Sequence, residues 1–376
     1  MKIALVTEIL TQYGGGERVL DAFLEIWPAA PIYTLVYDPA KMSQFYSGRD
    51  IRPSFIQKLP GMPSHYKWAL PLMPKAAESF DFSEFDVVLS NSSAYVKGVI
   101  TRPPTVHISY VLTPTRYLWS DRDEYLKNAP VPGWLRPFMP PVLSWLKRWD
   151  YKAAARADVM IGDSKTVAER IHHYYGRRAD GAIFPPVDTK RFTPAKKVGD
   201  YWFVVSRQEP YKRTDLAIAA ANKLGLPLIV AGGGTRVREL ESLAGPTIKF
   251  VGRVSDEELA KLYAEAIGLI FPQEEDAGIT PLESMAAGRP VIAYGRGGAR
   301  ETVIPGLTGE FFDVQTVDSL AATLSKFDPS RYDSAKIRAH AETFDTKVFQ
   351  AKIQKVVEEA YTKILNSKHE IRDKHK

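Results

Sequence analysis

The feature that most constrains this sequence is a strand, a loop and a helix that follow one another after residue 267. Gly268–Phe271 is a short apolar run, typical of a buried parallel strand. Good helix formers follow from Pro281, and Gly288 marks their end. The loop 276–280 therefore presents backbone N–H groups at a helix start, which is a common anion-binding arrangement.

Two carboxylates frame this loop. Glu275 lies at the carboxyl end of the predicted strand, and Glu283, eight positions later, lies about one turn inside the predicted helix. This spacing suits a ligand that carries hydroxyl groups at both ends and a phosphate between them.

The sequence from Glu275 to Glu283 resembles the E-x7-E element of retaining, GT-B-fold glycosyltransferases of family 4. The resemblance implies that Glu275 addresses the transferred sugar and that Glu283 holds the ribose hydroxyls of the nucleotide. It further implies that the backbone between them binds sugar and phosphate. The residues concerned are Ala277, Gly278, Ile279 and Thr280.

A second element of the resemblance follows the strand predicted at residues 201–205. Arg207 and Lys212 match the Arg and Lys by which the family grips the donor diphosphate. Negative charge grows on the diphosphate as it leaves the sugar, and fixed cations stabilise that charge. The alternative is a solvated basic turn. Ser206, Arg253 and Val254 complete the predicted donor site, the last two beside the nucleotide base.

Two glycine-rich turns are candidate phosphate loops. Residues 14–16 precede an apolar helix, but Val19 occupies the third glycine of a dinucleotide fingerprint, which argues against a nicotinamide enzyme. The resemblance assigns Gly15 and Gly16 to the donor, and a simple tight turn is the alternative. Residues 232–234 are either a phosphate cradle or a plain strand–helix turn.

Residues 113–119 match, nearly residue for residue, the H-T-P-x-R-Y-L-W element of bacterial mannosyl- and related transferases of surface-polysaccharide (O-antigen) assembly. Leu112 stands where those sequences carry the His. The resemblance places four residues in an acceptor or sugar pocket, namely Leu112, Thr113, Arg116 and Tyr117. His107 does not replace the missing His, because an odd offset of five points to the opposite face of a strand. We interpret His107 as structural.

Length and resemblance together predict two α/β domains of GT-B architecture, each Rossmann-like and doubly wound around a parallel sheet, facing each other across a cleft. The predicted acceptor-binding domain is 1–195 and the nucleotide-sugar-binding domain is 196–345. Residues 346–376 are expected to form a helix that crosses back to the first domain, followed by a frayed tail.

Composition narrows the setting of the protein. The chain has 376 residues, no Cys, 50 Lys and Arg against 44 Asp and Glu, and no apolar run of membrane-spanning length. We expect it in the cytoplasm or at the inner face of the cell membrane. The Trp- and cation-rich segment 129–152 is either a peripheral membrane contact or a helix packed on the first domain, and residues 66–73 pose the same choice. The basic residues are dispersed, so no nucleic-acid partner is expected.

The sequence thus predicts a retaining, metal-independent hexosyltransferase, with mannose from GDP-mannose favoured and a glycan or lipid-linked acceptor. No cofactor is expected besides the nucleotide-sugar substrate. The pair Asp121 and Asp123 lies in a polar loop instead of capping a strand, so it is not taken as a metal motif. Two alternatives stay open, a UDP-sugar-dependent transferase of the same fold and a non-catalytic sugar-nucleotide-binding protein. The missing His at Leu112 favours the latter.

Overall fold

The computed structural model describes residues 1–128 and 133–373, and the chain divides into two compact units. The first unit comprises residues 1–184 and the chain from residue 349 onward, and the second comprises Pro185–Val348. Each unit is built around one parallel sheet with helices on both faces.

The sheet of the first unit has seven parallel strands. They are β1 (Ile3–Leu10), β2 (Ile32–Tyr37), β3 (Ile51–Pro53), β4 (Val87–Ser92), β5 (Val106–Val111), β6 (Val159–Gly162) and β7 (Gly181–Ala182). Their order across the sheet is β3-β2-β1-β4-β5-β6-β7. The chain therefore starts in the middle of the sheet and winds outward in both directions, as in a doubly wound fold.

Six helices and five 3₁₀ helices connect these strands. The α-helices are α1 (Gly15–Ile26), α2 (Pro39–Tyr46), α3 (Met73–Glu78), α4 (Arg122–Asn128), α5 (Met139–Ala153) and α6 (Lys165–Tyr175). The 3₁₀ helices are Phe55–Lys58, Tyr66–Leu72, Val96–Gly98, Arg116–Leu118 and Gly133–Phe138. The Ser164 hydroxyl accepts the N–H of Val167 at the start of α6, and Gly176 ends the helix with φ 66°.

The second unit repeats the plan with six parallel strands. They are β8 (Trp202–Val205), β9 (Leu228–Ala231), β10 (Ile248–Gly252), β11 (Gly268–Phe271), β12 (Val291–Tyr294) and β13 (Gly309–Phe312), in the order β10-β9-β8-β11-β12-β13. The helices are α7 (Thr214–Leu224), α8 (Val237–Ser242), α9 (Asp256–Glu265), α10 (Ile279–Ala286), α11 (Ala299–Thr302), α12 (Val317–Lys326) and α13 (Ser334–Glu342), with 3₁₀ helices at Pro210–Lys212 and Pro329–Arg331.

Alternation along the strands builds a core on each side of each sheet. In β1, Leu5 packs on the face that holds α1, whereas Val6 packs on the face that holds α5. In the second unit, Val204 and Ile270 pack with α7 and α12 on one face. These two doubly wound parallel sheets confirm the predicted fold class.

The domain boundary differs from the predicted one near residue 195. Val187 explains the difference, since its N–H donates to the carbonyl of Phe344 at 3.1 Å and its carbonyl accepts the N–H of Thr346 at 3.1 Å. Phe192 is buried with its ring centroid 5.4 Å from that of Tyr263. Residues 185–195 therefore pack in the second unit, which ends at Val348 instead of residue 345.

The last helix, α14 (Thr346–Asp373), lies in the range 346–376 that was expected to hold a C-terminal helix. Phe349 lies in the core of the first unit, where its ring stacks on Phe23 at 5.8 Å and meets Tyr110 edge-on at 5.6 Å. The helix continues through Asp373, and residues 374–376 lie outside the described chain; fraying of the tail stays a prediction.

The Trp-rich segment packs on the first unit through one face. Leu143 and Leu146 of α5 are buried in its core, whereas Trp145 is 43% exposed. Residues 129–132 of the predicted segment lie outside the described residues. Within the described chain no helix is both long and apolar enough to cross a membrane.

Candidate active site

The centre of the candidate site is an ion pair in the second unit. Lys212 ends the 3₁₀ helix after β8, and Glu275 lies in the loop after β11. These strands are neighbours in the sheet, so the loops at their carboxyl ends meet, as ligand-binding loops of open α/β sheets do. Lys212 Nζ pairs with Glu275 Oε1, and the two side chains are only 16% and 19% exposed.

Arg207 joins this pair through one aromatic residue. Its Nη2 donates to the hydroxyl of Tyr211 at 3.1 Å, and the Lys212 Nζ lies 5.0 Å from the centroid of the same ring. Arg207 itself is exposed. The structure therefore brings together the three residues predicted to act on the donor, two directly and one through Tyr211.

The backbone beside Lys212 is held in an unusual conformation. Arg213 has φ 51°, the left-handed region that side chains other than Gly rarely adopt. Its Nη1 donates to Gln315 Oε1 at 3.0 Å, and Gln315 Nε2 donates to the carbonyl of Pro272 at 2.8 Å. This chain of hydrogen bonds ties the Lys212 turn to the loop that carries Glu275. No local pattern marks Gln315 in the sequence.

The loop after β11 leads into the start of α10 as predicted. Gly278 is the N-cap residue with φ 78°, and within the described chain no side chain caps this helix. The first turn, with Ile279 and Thr280, therefore offers backbone N–H groups at the positive end of the helix dipole. Ala277 is buried just before it. This arrangement can bind an anion beside Glu275.

Glu283 lies inside α10 and is almost fully buried. Its Oε2 accepts a hydrogen bond from the hydroxyl of Tyr263 at 2.8 Å. Tyr263 belongs to α9 and is itself buried. The sequence marked Glu283 but not its partner, because a Tyr on an amphipathic helix looks like any other core residue.

Gly297 and Gly298 pack against the loop that follows β11. A Cβ at Gly298 would lie 2.5 Å from the carbonyl oxygen and 2.6 Å from the Cα of Ala277, and the Gly298 N–H donates to the carbonyl of Glu275 at 2.9 Å. Gly297 has φ 61°. Only glycine allows this approach. The Gly297-Gly298 pair after β12 was the signal in the sequence, and its role was missed.

Replacing Gly298 by Ala is expected to lower the free energy of unfolding by about 1–3 kcal/mol, because the new methyl group must push the Ala277 backbone away. Gly295→Ala is the matched control, since a Cβ there would meet its nearest atom at 3.5 Å. Urea denaturation of both variants measures the difference. Equal losses would show that the close approach does not restrain the loop.

The glycines at 232–234 are explained by packing against the loop after β8. A Cβ at Gly234 would lie 2.5 Å from the backbone nitrogen of Gln208, and the carbonyl of Gly233 accepts the Gln208 N–H at 3.0 Å. The Gln208 side chain, which the sequence analysis missed, is buried and donates to the carbonyl of Ala231 at 2.9 Å. Of the two open interpretations, this contact supports a strand–helix turn.

The other predicted donor residues of this unit surround that turn. The Ser206 hydroxyl is buried and has no hydrogen-bond partner among the described residues. Arg253 is exposed, and its Nε would lie 3.3 Å from a Cβ at Gly233. Val254 follows it and is half-buried. These residues lie at the carboxyl ends of β8 and β10.

Gly15 and Gly16 lie in the first unit, at the start of α1. The Asn91 Nδ2 donates to the carbonyl of Gly16 at 2.7 Å, and the Leu112 Cδ1 would lie 3.2 Å from a Cβ at Gly16. The apolar side chain of Leu112 therefore occupies the space beside Gly16. Asn91 was missed, and its Oδ1 is buried with no hydrogen-bond partner in the described chain.

The other residues of the predicted acceptor element each form a hydrogen bond with a different partner. The Thr113 hydroxyl donates to the carbonyl of Pro114 at 3.0 Å, and Arg116 Nε donates to Asp121 at 2.8 Å. The Tyr117 hydroxyl bonds to that of Tyr95. Burial raises the pKa of Tyr117 well above its ordinary value, so this phenol stays neutral.

A buried ion pair supports this element from below. Lys97 and Asp150 are almost fully buried and lie 2.5 Å apart. Asp150 also accepts hydrogen bonds from Thr115 at 2.8 Å, Trp119 at 2.7 Å and Tyr175 at 2.9 Å. Thr115 and Trp119 lie on either side of Arg116 and Tyr117, so this network restrains the segment that carries those two residues.

His107 is structural, in agreement with the sequence interpretation. It is fully buried in β5, and its Nε2 lies 2.9 Å from the Ser90 hydroxyl. Burial lowers the pKa of His107 to about 3, with smaller effects from Arg177 and Arg156. The imidazole is therefore neutral at physiological pH.

This pKa predicts a stability that falls as the pH falls below the unfolded-state pKa of about 6.5, because only the unfolded chain then binds the proton. The full contribution is present above about pH 6.5 and is lost progressively toward the folded-state pKa. We expect the wild type to lose about 2 kcal/mol more than His107→Gln between about pH 7 and pH 5. Urea midpoints at both pH values test this, and equal losses would contradict it.

Among residues 1–128 and 133–373 no group of three or more His, Asp or Glu side chains could hold a metal ion. Asp121, which the sequence analysis did not take as a metal ligand, instead pairs with Arg116.

A family model described as "Glycosyl transferases group 1" matches residues 187–343. Residues 187–343 form a glycosyl transferases group 1 domain. The domain contains Arg207, Lys212, Glu275 and Glu283, and the match confirms the family resemblance read from those residues.

The chain is also similar to mycobacterial and corynebacterial proteins. It is 31% identical over 218 residues to the GDP-mannose-dependent alpha-(1-6)-phosphatidylinositol monomannoside mannosyltransferase of Mycobacterium tuberculosis, covering 47% of this chain and 57% of that protein. It is 32% identical over 226 residues to the GDP-mannose-dependent monoacylated alpha-(1-6)-phosphatidylinositol monomannoside mannosyltransferase of Corynebacterium glutamicum. The match covers 51% of this chain and 59% of that protein. The chain thus spans under two thirds of the length of these relatives.

Solved structures match nearly the whole chain. HepE from Anabaena, crystallised with UDP, superimposes with a TM-score of 0.71 at 17% identity, covering 96% of this chain and all of that one. Sucrose-phosphate synthase from Thermosynechococcus elongatus gives a TM-score of 0.74 at 16% identity, covering 96% and 99%. At such identities the likeness shows the fold alone, and that fold is the predicted GT-B fold.

Proposed function

We propose that this protein is a retaining, metal-independent glycosyltransferase that moves mannose from GDP-mannose to a hydroxyl group of a glycan or lipid-linked acceptor. The observation that carries the proposal is the Lys212–Glu275 pair beside the uncapped start of α10, with Arg207 next to it and Glu283 eight residues on. The names of the two relatives support the choice of donor.

In the proposed mechanism the positively charged side chains stabilise the leaving group. When the bond between sugar C1 and the diphosphate breaks, the diphosphate gains negative charge, and Lys212 and Arg207 stabilise it. The N–H groups at the start of α10 add to this field. Because these groups supply positive charge from the chain itself, the proposal assigns no metal and no cofactor.

Lys212 is paired with Glu275 before donor binds, so its charge is compensated. In the proposed complex the diphosphate takes over part of that charge, and Glu275 turns to the hydroxyls of the sugar. Glu283 holds the ribose, and the backbone from 277 to 280 holds sugar and phosphate. Gly15 and Gly16 are assigned to the donor, and Ser206, Arg253 and Val254 to the nucleotide.

The proposed reaction is attack on the same face from which the diphosphate leaves. The acceptor oxygen forms a bond to C1 as the C1–diphosphate bond breaks, and the acceptor proton passes to the leaving diphosphate. The anomeric configuration is therefore retained, and no side-chain nucleophile is needed. Leu112, Thr113, Arg116 and Tyr117 are assigned to the acceptor.

Thermal unfolding of the purified protein with GDP, UDP, ADP and their common sugars tests the donor assignment. A ligand at a hundred times its Kd adds about 2.7 kcal/mol of stability, which is readily seen as a shift in Tm. We expect GDP and GDP-mannose to give the largest shifts. A larger shift with UDP would favour the UDP-sugar-dependent alternative, and no shift with any nucleotide would contradict the proposal.

A further inference from the structure

A mostly apolar cavity of about 450 Å³ lies in the first unit. Its volume falls in the range of small-molecule sites. Two of its walls come from the segments that the sequence analysis marked for their Trp and cations, the 3₁₀ helix Tyr66–Leu72 and the start of α5. The apolar lining includes Leu70, Pro71, Met139, Val142 and Leu143.

The apolar lining continues onto the surface. Trp68 is 70% exposed and Phe138 is 61% exposed, and both line the same cavity. Large apolar side chains that are exposed beside an apolar cavity are typical of a binding site for an apolar group. A long, narrow hydrocarbon chain satisfies both features, because it fills the interior and also covers the exposed rings.

The charges along the cavity suit an anionic head group. Glu8 is a carboxylate in its wall, and it accepts hydrogen bonds from the N–H groups of residues 93–96 and from the Ser92 hydroxyl. These five donors stabilise the ionised carboxylate, which remains a negative charge in the wall. Lys67 also lines the cavity and is exposed. Glu8 is half-buried whereas Lys67 is exposed, so the ammonium of Lys67 is the more accessible of the two charges and complements a phosphate.

The cavity also adjoins the predicted acceptor element. Tyr117 lines it, and the hydroxyl of Tyr117 bonds to that of Tyr95, another lining residue. A chain bound here would contact Tyr117 of that element. This contact connects the apolar cavity with the residues assigned to the acceptor.

We propose that this cavity binds the hydrocarbon chain of an anionic lipid-linked acceptor, with its phosphate near Lys67. The role of this lipid as an acceptor rests on the proposed function, but its binding does not depend on sugar transfer. Chain binding and donor binding can therefore fail separately.

The first test is calorimetric titration of the full chain with dodecyl phosphate below its micelle-forming concentration, and with butyl phosphate. We expect dodecyl phosphate to bind at least about tenfold more tightly, since its longer chain buries more apolar surface. Leu70→Trp fills the cavity and should weaken dodecyl phosphate binding about tenfold. Leu72→Trp is the matched control, because Leu72 is exposed on the same 3₁₀ helix and lies outside the cavity wall.

A second pair of variants guards against a folding defect in the first. Val142→Glu places a carboxylate in the cavity wall, whereas Trp145→Glu places one on the exposed face of the same helix. We expect only Val142→Glu to abolish binding of dodecyl phosphate. Lys67→Met should weaken it about threefold, and Lys75→Met, an exposed Lys outside the wall, should not.

Three results would overturn the inference. One is equal binding of butyl and dodecyl phosphate, and another is unchanged dodecyl phosphate binding by Leu70→Trp and Val142→Glu. The third is equal loss in the control variants, which would indicate adsorption to the exposed aromatic surface. A Tm shift with GDP-mannose in the same proteins reports the donor site separately, so its failure would count against the proposed function and not against the cavity.

Discussion

Replacing Lys212 by Ala is expected to lower the turnover number for the proposed mannose transfer about 10²–10³-fold, as loss of one preorganised charge donor does in other enzymes. The Lys212 ammonium lies in a largely buried ion pair, so its field on a bound diphosphate is weakly screened. Its stabilisation increases as the leaving group gains charge, and the loss should therefore appear in kcat more than in KM. Release of GDP with time measures the effect.

Lys223→Ala is the control for this prediction. Lys223 forms an exposed ion pair with Asp318 at 2.7 Å, and its removal takes one positive charge from the same unit without touching the site. We expect its turnover number to equal that of the wild type. Similar losses in both variants would mean that overall charge, and not the position of Lys212, controls the reaction.

Replacing Asp150 by Ala is expected to lower the free energy of unfolding by about 3–5 kcal/mol, because it leaves the ammonium of Lys97 buried without its counter-charge. The variant also removes the acceptor for the Trp119 and Tyr175 hydrogen bonds. Since these residues hold the segment 113–119, activity toward the acceptor should fall as well. Urea denaturation followed by far-UV circular dichroism measures the stability.

The matched control breaks an ion pair that is exposed. Glu359→Ala removes the partner of Lys355, where the two side chains are 66% and 75% exposed and 3.8 Å apart. The expected loss is below about 1 kcal/mol. If Asp150→Ala lost no more than this, Lys97 would have to find another partner or release its proton, and the network would not support the acceptor element.

The sequence predicted the elements whose local signals are strong. β11 has the predicted bounds Gly268–Phe271, and the predicted helix after it, α10, ends before Gly288. Alternating or continuous apolar runs and capping residues produce these signals within a few positions. The carboxyl ends of β8 and β11 were also predicted to carry functional residues, and the structure brings Lys212 and Glu275 together there.

The sequence could not supply contacts between residues that are far apart along the chain. Gln208, Tyr263 and Gln315 each complete a part of the candidate site through hydrogen bonds formed by folding. None carries a local pattern that separates it from an ordinary polar or core residue. The predicted domain boundary differs from the observed one for the same reason. The sequence of residues 185–195 is typical of a stiff linker, and the bridge between Val187 and Asp345 forms only on folding.

The apolar cavity was likewise beyond the sequence. From the sequence, residues 66–73 and 129–152 were each either a peripheral membrane contact or a helix packed on the first domain. The structure shows packing for part of each segment, and the membrane contact stays a prediction. Leu143 is buried and Phe138 is exposed, yet both line one cavity. A cavity depends on how two distant segments are placed, so neither segment predicts it alone.

The central claim is that the second-unit site transfers a sugar with retention. The most direct measurement follows label from GDP-[14C]mannose into a lipid extract of membranes from cells that make the protein, with nuclear magnetic resonance of the product to assign its anomeric configuration. We predict an α-mannoside formed by the wild type and background label with Lys212→Ala. Tight binding of GDP-mannose with no transfer, or a β-linked product, would contradict the account.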